Sequence, residues 1–157
     1  MKPINIVING NPITKKNHMN LIKVKGRIIP IQSKAYRDYE KLFILQCKYK
    51  NLKIDYPVNI ACRYYMETKR RVDLTNLLSA TMDCLVKAGV IKDDNYLIAA
   101  ANDGSRVFFD SKNPRVEITI TKMTKNDYEF HKNIMDTIQI EEIHNEINQL
   151  EDYMSKK

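Results

Sequence analysis

The stretch from Lys69 to Asn95, KRRVDLTNLLSATMDCLVKAGVIKDDN, constrains the fold of this chain more than any other. Leu74, Leu77, Leu78, Leu85 and Val86 recur at spacings of three, four and seven, which predicts a helix over 74–88 with one buried face. Asp73 precedes the first apolar residue, where a carboxylate can accept bonds from the first free N–H groups of the helix. Gly89 stands where a left-handed terminating residue is expected. The acidic positions have a bland reading, a cap at one end and a solvated turn at Asp93-Asp94. The basic triplet Lys69-Arg70-Arg71 beside them suggests more: a cation site held next to a polyanion.

The segments around this helix are short. Residues 4–9 alternate apolar and polar, as a strand with one buried face does, and Gly10-Asn11-Pro12 breaks them. Leu21–Val24 and Arg27–Ile31 flank Lys25-Gly26, a two-residue hairpin turn. Lys23, Lys25 and Arg27 near its tip suit phosphate contact. Ser33 is a good N-cap for a helix running toward Tyr49, with Tyr36, Tyr39, Leu42 and Phe43 on its apolar positions. Val58–Met66, Tyr96–Ala101, Arg106–Phe109 and Pro114–Thr121 read as further strands. Two helices among short strands give an α+β, or mixed α/β, domain: a small mixed sheet flanked by two helices, with a C-terminal helical tail.

Charge divides the chain in two. Residues 1–123 carry 22 Lys/Arg against 11 Asp/Glu, whereas residues 124–157 carry 4 against 8. The expected organisation is a basic domain over 1–123 and an acidic helical tail over 124–157. A basic body points to a polyanionic partner, nucleic acid foremost. In the tail, Ile140, Ile143, Ile147, Leu150 and Met154 form a short heptad seam, suited to packing on its own domain or pairing with a second copy. Its acidity also suits covering the basic face when DNA is absent. Cys47, Cys62 and Cys84 show no metal-binding spacing, so free, mostly buried thiols in a reducing cytoplasm are expected. Neither a signal peptide nor a membrane-length apolar run is visible.

The pattern Arg71-Val72-Asp73-Leu74-Thr75-Asn76-Leu77, then Asp83, Lys87-Ala88-Gly89-Val90 and Asp93-Asp94 resembles the RusA family. These are Holliday-junction resolvases of phages and prophages. The likeness follows the order of elements from 3 to 122 and is tight over 70–95, which makes 1–123 a RusA-like nuclease domain. It implies a Mg²⁺-dependent endodeoxyribonuclease, with Mn²⁺ as the alternative ion, that resolves four-way junctions by paired symmetric nicks in recombination and repair. It further implies a homodimer in the cytoplasm of a bacterial host, because two matched cuts need two sites related by a two-fold axis. Family members also carry a proline-bearing loop after the first strand, with polar residues facing the active site. Ile13–His18 takes that place here.

Carried over position by position, the resemblance makes Asp73 and Asp94 the metal ligands. A hard cation takes oxygen ligands, usually one or two carboxylates with waters and substrate phosphate. The family signature reads Asp-x-Asp-Asn-Leu followed by Lys, whereas this chain has Thr75 for the second Asp and Ser79 for the Lys. The carboxylate that Thr75 lacks is sought in Asp93, Asp103, Asp110 or Glu67. Asp93 joins Asp73 and Asp94 in the expected catalytic set, and Asp103 joins them as expected third metal ligand. Asp83 is expected to be solvated or capping. The positive charge that Ser79 lacks is sought in Lys15, Lys16, Lys69, Arg70, Arg71 and Arg106, the expected DNA-binding residues. The alternative is a non-catalytic binder of branched DNA that retains the resolvase fold.

Distance adds one more expectation. A helix over 74–88 is about 22 Å long, and five residues from Gly89 to Asp94 return at most about 18 Å. Either the helix is shorter, or Asp73 and Asp94 meet across two chains.

Overall fold

The computed structural model describes residues 2–15, 19–24, 26–124, 126 and 127. Lys16, Lys25, His18 and the heptad seam from Ile140 to Met154 lie outside the described residues, as does most of the expected helical tail.

Strand β1 (Ile4–Asn9) buries Ile6 and Ile8 on one side, as its alternation predicts. The hairpin follows, β2 (Met19–Val24) and β3 (Arg27–Gln32), as a separate two-stranded sheet. Helix α1 (Lys34–Gln46) starts at Ser33, whose hydroxyl accepts the Tyr36 N–H at 3.1 Å. It stops short of the expected Tyr49, because Cys47 turns extended. Strand β4 (Val58–Met66) leads into helix α2 (Leu74–Lys87), and β5 (Ala99–Ala101), β6 (Arg106–Phe109) and β7 (Arg115–Lys122) complete the domain.

The main sheet is mixed, in the order β1-β7-β4-β5, with β6 also paired to β4. β7 runs antiparallel to both β1 and β4, while β5 and β6 run parallel to β4 at its start and its end. Between them the Cys62 N–H donates to the buried Ser105 hydroxyl at 3.0 Å, which closes the gap in the ladder. Ile6, Ile8, Ile60, Cys62, Tyr64, Val116, Ile118 and Ile120 form one buried face, clustered with Phe43 from α1 and with Leu77, Leu78 and Leu85 from α2. A buried bond between the Tyr64 hydroxyl and Thr81 Oγ1, 2.8 Å long, ties the middle of α2 to β4. The architecture is α+β, a mixed sheet with two helices in its core cluster.

The strand expected over Tyr96–Ala101 is shorter than its apolar run. The Asn95 side chain accepts the Leu97 N–H, and the Asn95 carbonyl accepts those of Ile98 and Ala99. Those donors close a turn instead of a ladder, and only Ala99–Ala101 remains extended. Helix α2 ends as its sequence predicts. Gly89 is left-handed at φ +70°, its N–H bonds to the Val86 carbonyl, and the Val90 N–H reaches back to Leu85. A Cβ on Gly89 would lie 3.0 Å from the Asn51 side chain, so space as well as φ selects glycine. In the short second unit the Thr124 hydroxyl bonds the Asp127 carboxylate at 2.6 Å.

Candidate active site and nucleic-acid interface

The end of β4 and the start of α2 build the first half of the candidate site. After Met66 the chain leaves the sheet, and the Glu67 N–H donates to Asn11 Oδ1 at 3.1 Å. This bond joins the loop after β4 to the proline-bearing loop after β1. Between the two loops lies an open groove of about 440 Å³. Asn11, Pro12 and Thr14 line one wall, and Met66, Thr68, Arg70 and Arg71 line the other. Two arginines lining one groove suit the backbone of a nucleic acid, since a guanidinium can make paired bonds to phosphate oxygens.

Asp73 occupies the N-cap position of α2 but does not cap the helix with its side chain. Its backbone carbonyl accepts the Leu77 N–H, and its carboxylate turns to the Asn76 side chain, which donates at 2.9 Å. The carboxylate is thus oriented by Asn76 and exposed next to residues that line the groove. It stands at the positive end of the helix dipole, which attracts anions. Thr75 and Ser79 are both exposed on the same helix. Asn76, Ser79 and Asp83 follow one another at spacings of three and four, along one face with Asp73.

Asp83 is neither freely solvated nor a cap. Lys15 reaches across from the loop after β1 and pairs with it at 3.0 Å, with side-chain exposures of 44% and 27%. Lys15 therefore has part of its charge already matched. Lys69 lies over the Phe109 ring, 5.2 Å from its centroid. Arg106 is exposed on β6 beside Arg63 and donates to the Ser105 carbonyl, and it does not line the groove.

Asp93 and Asp94 stand beyond the other end of α2. Lys53 and Ile54 donate to the carbonyls of Gly89 and Val90, and Lys92 donates to that of Ile54. These bonds fasten the chain after α2 to the segment that leads into the start of β4. Asp93 accepts the Asp94 N–H and the Asn95 side-chain amide, each at 2.8 Å. The amide of Asn95 and the N–H of Asp94 hold its carboxyl below the ordinary range. Both of its oxygens serve the turn.

The alternative carboxylates divide between the same two ends. Asp103 sits by the start of β4, exchanging backbone bonds with the Asn59 side chain. Asp110 sits by its end, donating its N–H to the Met66 carbonyl. Desolvation pushes the Asp110 carboxyl up, but the N–H groups of Asn113 and Lys112 and the Arg115 guanidinium outweigh it and hold the group low. That carboxylate is occupied by its own turn. Glu67 is exposed at the Asp73 end. Among the described residues, no three His, Cys, Asp or Glu side chains gather closely enough to hold a metal ion. The three cysteines are free and buried, and burial pushes the Cys62 and Cys84 thiols up to about 12. These two stay protonated at neutral pH and offer no thiolate. No helix among the described residues is long and apolar enough to cross a membrane.

Sequence reading missed Asn11 as the brace between the two loops. Its only signal was its place between Gly10 and Pro12. Asn76 belongs to the pattern that carries the resemblance, but its grip on Asp73 is visible only in three dimensions.

The model of the endodeoxyribonuclease RusA family matches residues 9–121. The crossover junction endodeoxyribonuclease RusA of Aquifex aeolicus (strain VF5) is 26% identical over 98 residues, 62% of this chain and 76% of the relative. The enzyme of the same description from Enterobacteria phage 82 is 34% identical over 100 residues, covering 63% and 80%. That from Escherichia coli (strain K12) is 35% identical over 104 residues, again covering 63% and 80%.

Proposed function

The chain belongs to the RusA family of endodeoxyribonucleases, and from that premise we propose that it is a divalent-metal-dependent resolvase that cuts four-way DNA junctions. Its paired symmetric nicks would come from a two-fold dimer acting in recombination and repair. The observation that carries this reading is Asp73, held by Asn76 at a helix start immediately beside a groove lined by Arg70 and Arg71.

The donor chemistry suits a hard cation, Mg²⁺ or Mn²⁺, because Asp73 and Asp94 are exposed carboxylates. When bound, such an ion supplies charge relief on the scissile phosphate and an activated water. The chain's own groups do the remaining work. Arg70 and Arg71 receive phosphates and position the strand without reading its sequence. Asn76 fixes the direction of the Asp73 carboxylate. Thr75 brings only a neutral hydroxyl where the family signature has a carboxylate.

Among the described residues of one chain, Asp73 and Asp94 do not join in a metal-ligating cluster of three. Helix α2 keeps close to its expected length, about 21 Å for its 14 residues, with Asp73 at one end and Asp94 beyond the other. These facts support a site shared between subunits: antiparallel α2 helices in a two-fold dimer would bring Asp73 of each copy toward the partner copy's Asp94.

Single-turnover cleavage of a synthetic four-way junction tests the enzyme. Paired, symmetric nicks with Mg²⁺ or Mn²⁺, and none with a chelator, are expected. Tight junction binding without nicks in either metal would establish the non-catalytic junction binder instead.

A further inference from the structure

Strand β6, Arg106–Phe109, lies beside β4 alone among the described strands and is exposed at all four positions. Exposed edges carrying aromatic residues are unusual and mark contact surfaces. Its two phenylalanines, as neighbours on a strand, point to opposite faces. Phe108 already has an intramolecular partner, stacking on Tyr65 at 5.2 Å, and Arg115 covers Tyr65 from 3.6 Å. Phe109 is 48% exposed, with the Lys69 ammonium 5.2 Å from its ring centroid. It lies in register with Met66, which is part of the groove wall.

We infer that Phe109 is a stacking platform for an unpaired nucleobase at the branch point of the DNA, placed where the groove of Arg70 and Arg71 meets the sheet edge. The inference rests on the junction-cleaving reading and extends it. Charge complementarity selects this occupant. Lys69 stands over the ring, and the chain runs on from it directly into the two groove arginines. A protein surface packed on the ring would desolvate the Lys69 ammonium. A nucleic-acid strand brings phosphates to these cations and a π-face to the ring, the combination by which single-stranded segments are held. A continuous duplex stacks each base on both sides, whereas pairs at a branch point lose a stacking neighbour and open more readily, so the platform favours branched over linear DNA.

The test uses the full chain and a synthetic junction carrying 5-iododeoxyuridine at the branch point, with an intact duplex of equal length as reference. Long-wave irradiation is expected to cross-link the branch-point base to the peptide containing Phe109. Phe109→Leu, which keeps an apolar side chain but removes the π-face, should lose about fivefold or more in junction affinity. It should keep its duplex affinity, and Phe109→Trp should restore junction binding. Phe108→Leu should leave both affinities unchanged. If the parent prefers the junction but Phe109→Leu binds it equally well and no cross-link maps to β6, the platform is wrong while the resolvase reading stands. A parent with no preference for the junction over duplex would overturn that reading itself. Dissociation of an oligomer by Phe109→Leu at unchanged junction affinity would assign the edge to a second copy and overturn the platform.

Discussion

The two ends of α2 offer the same chemical group, an exposed carboxylate, in opposite surroundings. At the N-terminal end Asp73 has an amide to orient it, a helix dipole behind it and two arginines in the adjacent groove. At the far end Asp94 belongs to a tight turn in which Asp93 and Asn95 use their side chains on the backbone and on each other. One end sets its carboxylate beside cationic side chains, and the other folds its acidic residues into a turn. Under the shared-site proposal, dimerisation would join these two ends, which one helix separates within a chain.

The most severe way to break this comparison is to neutralise both ends. Asp73→Asn and Asp94→Asn should each lower junction cleavage by about 100-fold or more, as loss of a metal ligand or its support does. Junction binding should survive, since shape is kept. The two inactive proteins, co-refolded, then separate a shared site from a closed one. In a shared-site heterodimer one site carries both substitutions and the other carries none, so nicking returns. Verified heterodimers that stay inactive would place each site within one chain.

The basic loop gives the next largest effect. Lys69→Ala, Arg70→Ala and Arg71→Ala combined should weaken binding and flatten its salt dependence, by about 0.9 in log–log slope for each phosphate no longer neutralised. An unchanged slope would remove the Asp73 end from the DNA face and leave the two ends equivalent.

A gain of function comes third. Thr75→Asp restores the carboxylate of the family signature beside Asp73, so cleavage at low Mg²⁺ should rise severalfold. A fall would mean that the Asp73 end has been rebuilt around the threonine hydroxyl.

Local signals made most of the fold legible. The bounds of β1 follow from its alternation, those of β4 and β6 match the runs bounded by turns, and α2 is bracketed by Asp73 and a glycine whose left-handed φ its ending requires. The run from Tyr96 failed because Asn95 captures three consecutive N–H groups, a competition that apolar pattern does not encode. The site divides likewise. Asp73, Arg70 and Arg71 are neighbours in sequence and were legible together. Asn11, far from them along the chain, joins the groove only through pairing of loops. Asp103 looked available as a ligand because it follows a strand, yet it lies by the start of β4, away from the end that delivers Asp73. Strand polarity decided that, and polarity is not written in a single segment.

The smallest expected effect concerns Lys15, one of the residues in which the positive charge missing at Ser79 is sought. Its ammonium is paired with Asp83 on the same face of α2 as Asp73 and Asn76, at partial exposure. An ion pair of this kind contributes less than about 1 kcal/mol to stability. Lys15→Ala should therefore lower unfolding free energy only slightly. In a double-mutant cycle with Asp83→Asn the two effects should be non-additive, because the second substitution removes an interaction already gone. The salt dependence of junction binding should barely move, since a charge matched within the protein releases few counterions on binding. That sets Lys15 apart from Arg70 and Arg71, which line the groove itself. If Lys15→Ala instead lowers the slope by about 0.9, DNA displaces Asp83 from Lys15. The loop after β1 then belongs to the phosphate-binding surface, and Asp83 serves to hold that lysine in place until the junction arrives.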